Sequence, residues 1–593
     1  MSVQPKLIYP YDLGETFDRK NYFDISTSMT KPSPETYRFV QCDPLLADKP
    51  VIKVYEYPEL PIKEYTVISY IWNGVKAHIQ DTFEIARGKK QAPPNPISIP
   101  ILQDACRAAK IRGTNLLWLD ALCIDMSNTE DNSWQVKHMF EIYQNSALCI
   151  VFPAGLWRLT SLSEETSWIN RGWTLQEAVA PSVVEVVFYW THGDSRARPY
   201  QNNHKDSSII TEITKGRCAM APLPFLLDCT ISGALVLDTP RGCKEPVHMF
   251  GTGPEPKPST DYRLVLPNVA ALAVILNHKD DAGTSPYYHC IWKSAMMRST
   301  KYPADMIFSI MGLFGVTDLG PEKIEEDDYI KPTIALTKRI LEKEGRATWL
   351  GAALFSPPCP QISTFPSFPR VLPGRNTPVI AIPDEGYVPA AQLLINEYMN
   401  TAIDMDFPKG NMTAEGDLEF EALCVRVKKS SSAPPRKDSS HFIQDIDGTI
   451  WVGSAGSSDD EPEAYAVLLC CFKAYSPLTQ KFRDFHASNV RGFVVEVKPN
   501  SSTSGQQKFE RVYLKSYFMF TITEYSWLKD WTKKNLAVGS FIETANKDKS
   551  LIETELHDYT RNRLESKLWV EDEKLIREIY ESLSKKVLPS VAD

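Results

Sequence analysis

Between Tyr65 and Tyr189 short apolar runs alternate with helical stretches, and no other feature of the 593-residue chain constrains its fold as tightly. Tyr65–Trp72 (YTVISYIW) is β-branched and aromatic, as a buried strand is. After a Pro-rich loop at Pro93–Pro96, a helix opens near Pro100, where the first turn tolerates proline's missing N–H. Leu102, Ala105, Cys106 and Ala109 would form its inner face. Asn115–Asp125 (NLLWLDALCID) reads as a second strand, apolar on both faces like a central parallel strand. Asp131 to Ser133 can cap the next helix, whose stripe is Val136, Met139, Phe140, Tyr143 and Ala147. Leu148–Phe152 is a third strand, Trp168–Ala180 a helix stopped by Pro181, and Val183–Tyr189 a fourth strand. Such alternation predicts an α/β fold: a parallel sheet covered by helices, forming the functional core.

At ~150 residues per domain, a chain of this length holds roughly three or four units. Residues 1–60, rich in Tyr and Pro, read as an extended lead-in with one strand at Tyr37–Val40. The α/β domain follows at 61–195, then an α-rich unit with loop insertions at 196–356. Residues 357–375 have linker composition, and 376–550 form a β-rich C-terminal domain with strands such as Leu418–Val427, Ala464–Phe472 and Phe509–Thr521. The end, 551–593, reads as a charged helical tail. The acidic stretches Glu325–Asp328 and Asp459–Glu463 are simplest as solvated loops.

Composition removes several function classes. A net charge of −9 argues against a nucleic-acid binder, because neutralising phosphates needs an excess of Lys and Arg. The 12 cysteines are scattered without a CxxC pair, which fits a reducing, cytoplasmic setting better than a disulfide framework. No signal peptide opens the sequence, and Val269–Leu276 falls far short of the ~20 apolar residues that a membrane span needs. There is no GxxxxGK[ST], and the GxG at Gly251–Gly253 runs into Pro254 rather than a helix. Neither HExxH nor paired Cys/His spacing occurs, and no GxSxG elbow. The expectation is a protein with no resident cofactor and no metal.

The remaining chemistry gathers where the carboxyl edge of the sheet would lie, the usual ligand side of open α/β sheets. Strand one ends with Ser69, Tyr70 and Trp72; strand two carries Asp120, Cys123 and Asp125; the last helix carries Arg171, Trp173, Gln176 and Glu177. Trp173 and Glu177, four apart, share a helix face.

Three blocks here resemble the fungal heterokaryon-incompatibility (HET) domain: YTVISYIWNG at Tyr65–Gly74, LWLDALCID at Leu117–Asp125 with QVKHMFEIYQNSA at Gln135–Ala147, and SWINRGWTLQEAVAP at Ser167–Pro181. Ile291–Gly315 looks like the helical segment trailing many such domains. Asn73 separates Trp72 from Gly74, and Met126 stands where the family commonly has glutamine. The resemblance implies a role in self/non-self recognition, innate immunity and programmed cell death. It also implies a distant likeness to TIR domains, which share a flavodoxin-like sheet and in some members hydrolyse NAD. On that likeness Glu177 is the catalytic candidate, with Thr174 where those enzymes place a cysteine. Ser69, Tyr70, Trp72, Asp120, Arg171 and Trp173 are substrate-binding candidates, and NAD is the candidate substrate. Implied partners are an activating incompatibility or NLR-type protein and a second copy of the chain. The alternative is a non-enzymatic adaptor that self-associates through the domain.

Each candidate also has a structural reading. Glu177 could be a solvated or salt-bridged helix residue, and Asp120 could pair with Arg171. Trp72, Trp118 and Trp173 could be core aromatics, since burying them dominates core energetics. Cys123 lacks an obvious histidine partner, His138 being the nearest on the chain, and reads as core.

Overall fold

The computed structural model describes residues 5–12, 22–24, 33–72, 82–86, 97–126, 128–200, 207–240, 242–251, 267–279, 283–319, 329–352, 356–371, 378–382, 386–394, 401–402, 407–431, 442–454, 463–473, 475–476, 481–482, 489–498, 509–521, 528 and 531–541. The tail at 551–593, Asn73, Gly74, Pro93–Pro96, Glu325–Asp328 and most of Asp459–Glu463 lie outside them, as does the GxG beyond Gly251. Two units are present. One comprises Met1–Asp280 and Arg298–Pro332, the other Asp281–Met297 and Thr333–Asp593.

The first unit is built on a 12-stranded sheet. Its strands and those of a small side sheet are β1 (Lys6–Asp12), β2 (Tyr22–Asp24), β3 (Tyr37–Gln41), β4 (Val51–Tyr57), β5 (Tyr65–Tyr70), β6 (Thr82–Ala86), β7 (Ile97–Ser98), β8 (Leu116–Trp118), β9 (Leu148–Phe152), β10 (Val184–Tyr189), β11 (Ser195–Pro199), β12 (Ser208–Thr214), β13 (Cys218–Pro222), β14 (Ala234–Leu237) and β15 (Lys244–Pro246). At its centre β8, β5, β9 and β10 run parallel in that order. In chain order this is 2-1-3-4, an arrangement whose order reverses between the first and third strands. Every residue of β9 is buried, and all but the last of β5 and β10, so both faces are covered.

Helices make the crossovers. After the short α1 (Cys42–Leu45), α2 (Ile99–Ile111) links β5 to β8 and buries Leu102, Ala105, Cys106 and Ala109 as expected. A helical turn α3 (Asp120–Cys123) and helix α4 (Thr129–Gln144) link β8 to β9, and α5 (Trp173–Val179) links β9 to β10.

Several expectations need correction. The sheet is mixed rather than purely parallel. The supposed lead-in supplies β1, β4 and β3, which add antiparallel strands beside β8. β4 alternates buried and half-buried residues, the signature of a strand with one covered face. The expected strand Asn115–Asp125 stops at Trp118 and turns helical at Asp120, because an apolar run alone does not separate buried strand from buried helix. The helix expected over Trp168–Ala180 is a 3-10 turn at Trp168–Asn170, then extended backbone at Arg171, then α5.

The N-cap of α4 is Asn128, not Asp131–Ser133; its side chain accepts from the Glu130 and Asp131 amides at 3.0 and 3.3 Å. Asp131 is instead buried against the guanidinium of Arg38, which also donates to the Cys123 carbonyl at 2.8 Å. Asn128→Ala is expected to cost about 1 kcal/mol, read as a lowered denaturation midpoint, because it orphans two amides at the helix start.

The second unit is β-rich. Leu418–Ser430, Ala464–Lys473, Asn489–Val497, Glu510–Thr521 and Thr532–Val538 hydrogen-bond in succession, and Leu418–Ser430 pairs again with Ala464–Lys473, closing a barrel. Val427, Trp451, Phe518 and Trp531 are among its core. Pro357–Arg370, most of the stretch expected as a linker, packs against this unit's helical part: Cys359, Ile362 and Phe365 are buried, and Phe365 stacks on Trp349. Aromatic burial outweighs the loop-forming prolines there. Among the described residues no helix is long and apolar enough to cross a membrane, and ten cysteines are buried free thiols while Cys243 is exposed.

Candidate functional site

Ser69 lies next to last in β5, at the carboxyl end of the parallel strands, with no exposed surface. Its hydroxyl donates to Glu177 Oε2 at 2.5 Å and accepts from Trp168 Nε1 at 2.8 Å. The indole can only donate, so it takes up one lone pair of the serine oxygen and leaves the serine proton for the carboxyl oxygen. Trp168 comes from the 3-10 turn and Glu177 from α5, two elements that the S-W-I-N-R-G-W-T-L-Q-E stretch folds side by side.

Glu177 is 7% exposed. Burial pushes its carboxyl up from 4.5 to about 8. The Ser69 hydrogen bond opposes this, the charge of Asp120 adds to it, and the positive charges of Arg171 and Arg298 pull it back. At neutral pH this carboxyl is therefore mostly protonated.

Asp120 opens α3 just beyond β8 and is half-buried. Its Oδ1 accepts from the Tyr70 hydroxyl at 2.6 Å and the Ala121 amide at 2.6 Å, and its Oδ2 from Trp72 Nε1 at 2.7 Å. The pairing of Asp120 with Arg171 is thus corrected: neutral donors from the end of β5 take both oxygens. Arg171 acts on Glu177 through its charge, and its carbonyl accepts from Arg298 and Thr174. Asp120→Asn is expected to lower the pH at which Glu177 loses its proton, because one neighbouring negative charge disappears; a carboxyl-resolved NMR titration reads it.

The structure therefore joins Ser69 with Glu177, and Tyr70 and Trp72 with Asp120. It directs Trp173 elsewhere: that indole donates to Asp305 Oδ2 at 3.3 Å. Trp118 is core, edge-on to Tyr143 at 5.5 Å. Cys123 is core as well, its thiol pushed up to about 12 by burial. His138 stacks on Trp134 at 4.0 Å. Thr174 Oγ1 bonds the carbonyls of Trp168 and Arg171, both at 2.8 Å. Sequence reasoning missed Trp168 and Arg298. The first stood inside a quoted block, the second inside Ile291–Gly315, and neither has a periodic signal. Among the described residues no group of His, Cys, Asp or Glu is placed to hold a metal ion.

Residues 65–156, which include Ser69, Tyr70, Trp72 and Asp120, match the family model of the heterokaryon incompatibility protein (HET). The vegetative incompatibility protein HET-E-1 of Podospora anserina is 32% identical over 87 residues, covering 12% of this chain and 6% of that protein. The chain thus spans only a small part of that relative's length. No solved structure gives a significant match. The similarity to the heterokaryon-incompatibility (HET) family therefore lies in residues 65–156 of this chain.

Proposed function

We propose that the protein acts in fungal self/non-self recognition and regulated cell death, and that its HET domain does so by cleaving NAD, with Glu177 as the working carboxylate. The observation that carries this reading is the Ser69–Glu177 hydrogen bond at the carboxyl edge of the parallel strands. The 2-1-3-4 strand order supports the flavodoxin- and TIR-like part of it.

The chemistry asks little of the protein. The bond between the ribose anomeric carbon and the nicotinamide nitrogen breaks, its electron pair leaves with nicotinamide, and that product departs neutral. A carboxylate beside the ribose stabilises the oxocarbenium-like charge until water adds and releases a proton. The products are nicotinamide, ADP-ribose and a proton. Glu177 must be ionised for this, and the cationic nicotinamide ring of NAD supplies the positive charge that favours ionisation. Asp120, held by Tyr70 and Trp72, would bind ribose hydroxyls. A carboxyl 7% exposed must first be opened to substrate, which suits a cytoplasmic effector switched on by an incompatibility or NLR-type partner or by self-association.

That same burial favours a second reading, a non-enzymatic adaptor that self-associates through the domain. The test is nicotinamide release from NAD by the purified, oligomerised protein and by Glu177→Gln. Release that depends on Glu177 supports the enzyme. Absence of release in every assembly state leaves the adaptor.

A further inference from the structure

The R-G-W-T-x-Q-E block is gripped by a segment far downstream. The Gly172 amide donates to the Ser299 carbonyl at 2.8 Å, and the Ser299 amide to the Asn170 carbonyl at 2.9 Å, so Arg171 and Ser299 pair as a parallel bridge. A Cβ on Gly172 would stand 2.4 Å from Thr300 Cγ2, so only glycine permits this approach. Arg298, fully buried, donates through Nη1 to the Arg171 carbonyl at 3.0 Å and to Thr174 Oγ1 at 2.9 Å. Thr174 Oγ1 in turn holds the Trp168 carbonyl. One guanidinium therefore braces both the turn that carries Trp168 and the first turn of α5, which carries Glu177. Those are the two residues that bracket Ser69.

We infer that Arg298 is a positioning residue for Glu177, fixing the Trp168 turn against α5 so that the Ser69–Glu177 hydrogen bond stays aligned. Its significance for catalysis rests on the reading of Glu177 as the working group. Where the Glu177 carboxyl ionises, its charge and that of the buried guanidinium favour one another. On this inference the working domain includes Arg298–Thr300, beyond the boundary at 195 drawn from the sequence.

Several other groups influence or are influenced by Glu177 and remain constant in the test. They are Ser69 from β5, Asp120 from α3, Tyr143 from α4, Cys149 from β9 and Arg171 before α5. The experiment measures the unfolding of the full chain between pH 5 and 9 for the native protein, Arg298→Met and Arg298→Lys, each with and without Glu177→Gln. The difference between the backgrounds with and without Glu177→Gln reports the pH at which the carboxyl ionises. Arg298→Met should raise that pH by about one unit or more, whereas Arg298→Lys, which keeps the charge, should leave it within about half a unit. Arg298→Gln repeats the comparison if the methionine variant does not fold. An Arg298→Met effect of equal size at every pH, with or without Glu177, would reduce Arg298 to a packing role and overturn the inference. Nicotinamide release that needs Glu177 but is unchanged in Arg298→Met would likewise sink it, while leaving the NAD reading standing. Conversely, the pH displacement without any nicotinamide release upholds the inference and removes the NAD reading.

Discussion

Glu177→Gln is expected to stabilise the first unit above about pH 8 while abolishing any nicotinamide release. In the folded chain burial pushes the Glu177 carboxyl from 4.5 up to about 8, so the native state holds this proton more tightly than the unfolded chain does. Its favourable contribution is complete below about pH 4.5 and is lost as pH rises through 8, the reverse of an ordinary salt-bridged carboxylate. At ~1.4 kcal/mol per pH unit the penalty on the ionised form reaches up to about 5 kcal/mol, and relaxation around the site brings the expected figure to about 2–3 kcal/mol. Glutamine keeps the shape and can still accept from Ser69, but it never ionises. Denaturant unfolding should therefore show native stability falling from pH 5 to 9 relative to a flat Glu177→Gln difference line. Groups outside the site cancel in that difference: His289, for example, is held neutral by burial, with its ring pushed down to about 3, in both variants. Parallel pH profiles would mean that the carboxyl is ionised and solvated in the native state. A buried carboxyl whose ionised form is disfavoured in the folded chain carries this cost, which is why its removal stabilises.

The parts of the fold that were legible in the sequence are those whose burial is two-sided. β5, β9 and β10 stand out because an apolar run bounded by turn residues has one economical home, the middle of a covered sheet. The same rule misled at Asn115–Asp125, where an equally apolar stretch turns helical after Trp118. The antiparallel flank of the sheet was harder. Val51–Tyr57 alternates over only seven residues, and its partner Lys6–Asp12 contains Pro10, so their pairing is fixed by the sheet rather than by the local pattern. The site was half legible. Ser69 and Glu177 sit inside quoted blocks, but the contact between them joins residues 108 apart, and Arg298 reaches Thr174 across 124. Contacts of that range leave no periodicity to read. Opposite charge suggested Asp120 with Arg171; a hydroxyl and an indole satisfied Asp120 instead, because a carboxylate needs donors and these need not be cations.

Gly172→Ala is expected to destabilise the first unit by about 2 kcal/mol, and Thr300→Ser to recover most of that loss. The backbone at Gly172 is ordinary right-handed helix, φ −59° and ψ −56°, so alanine meets no torsional objection there. The whole cost is steric: the new methyl would lie 2.4 Å from Thr300 Cγ2, with Ser309 Oγ and the Ser299 carbonyl at 3.4 and 3.6 Å. Serine at 300 deletes the clashing carbon yet keeps the hydroxyl that donates to the Tyr302 carbonyl at 2.6 Å. With that carbon gone, the remaining neighbours stand at tolerable distances. The double variant should thus be far more stable than the sum of its parts, with an interaction energy of about 1 kcal/mol or more in a thermodynamic cycle. If the two effects merely add, the 298–300 segment is not pressed against the glycine, and the grip on α5 fails with it. If they couple, Gly172→Ala alone should also move the pH at which Glu177 ionises, because the methyl pushes apart the two elements whose contact sets the Ser69–Glu177 geometry.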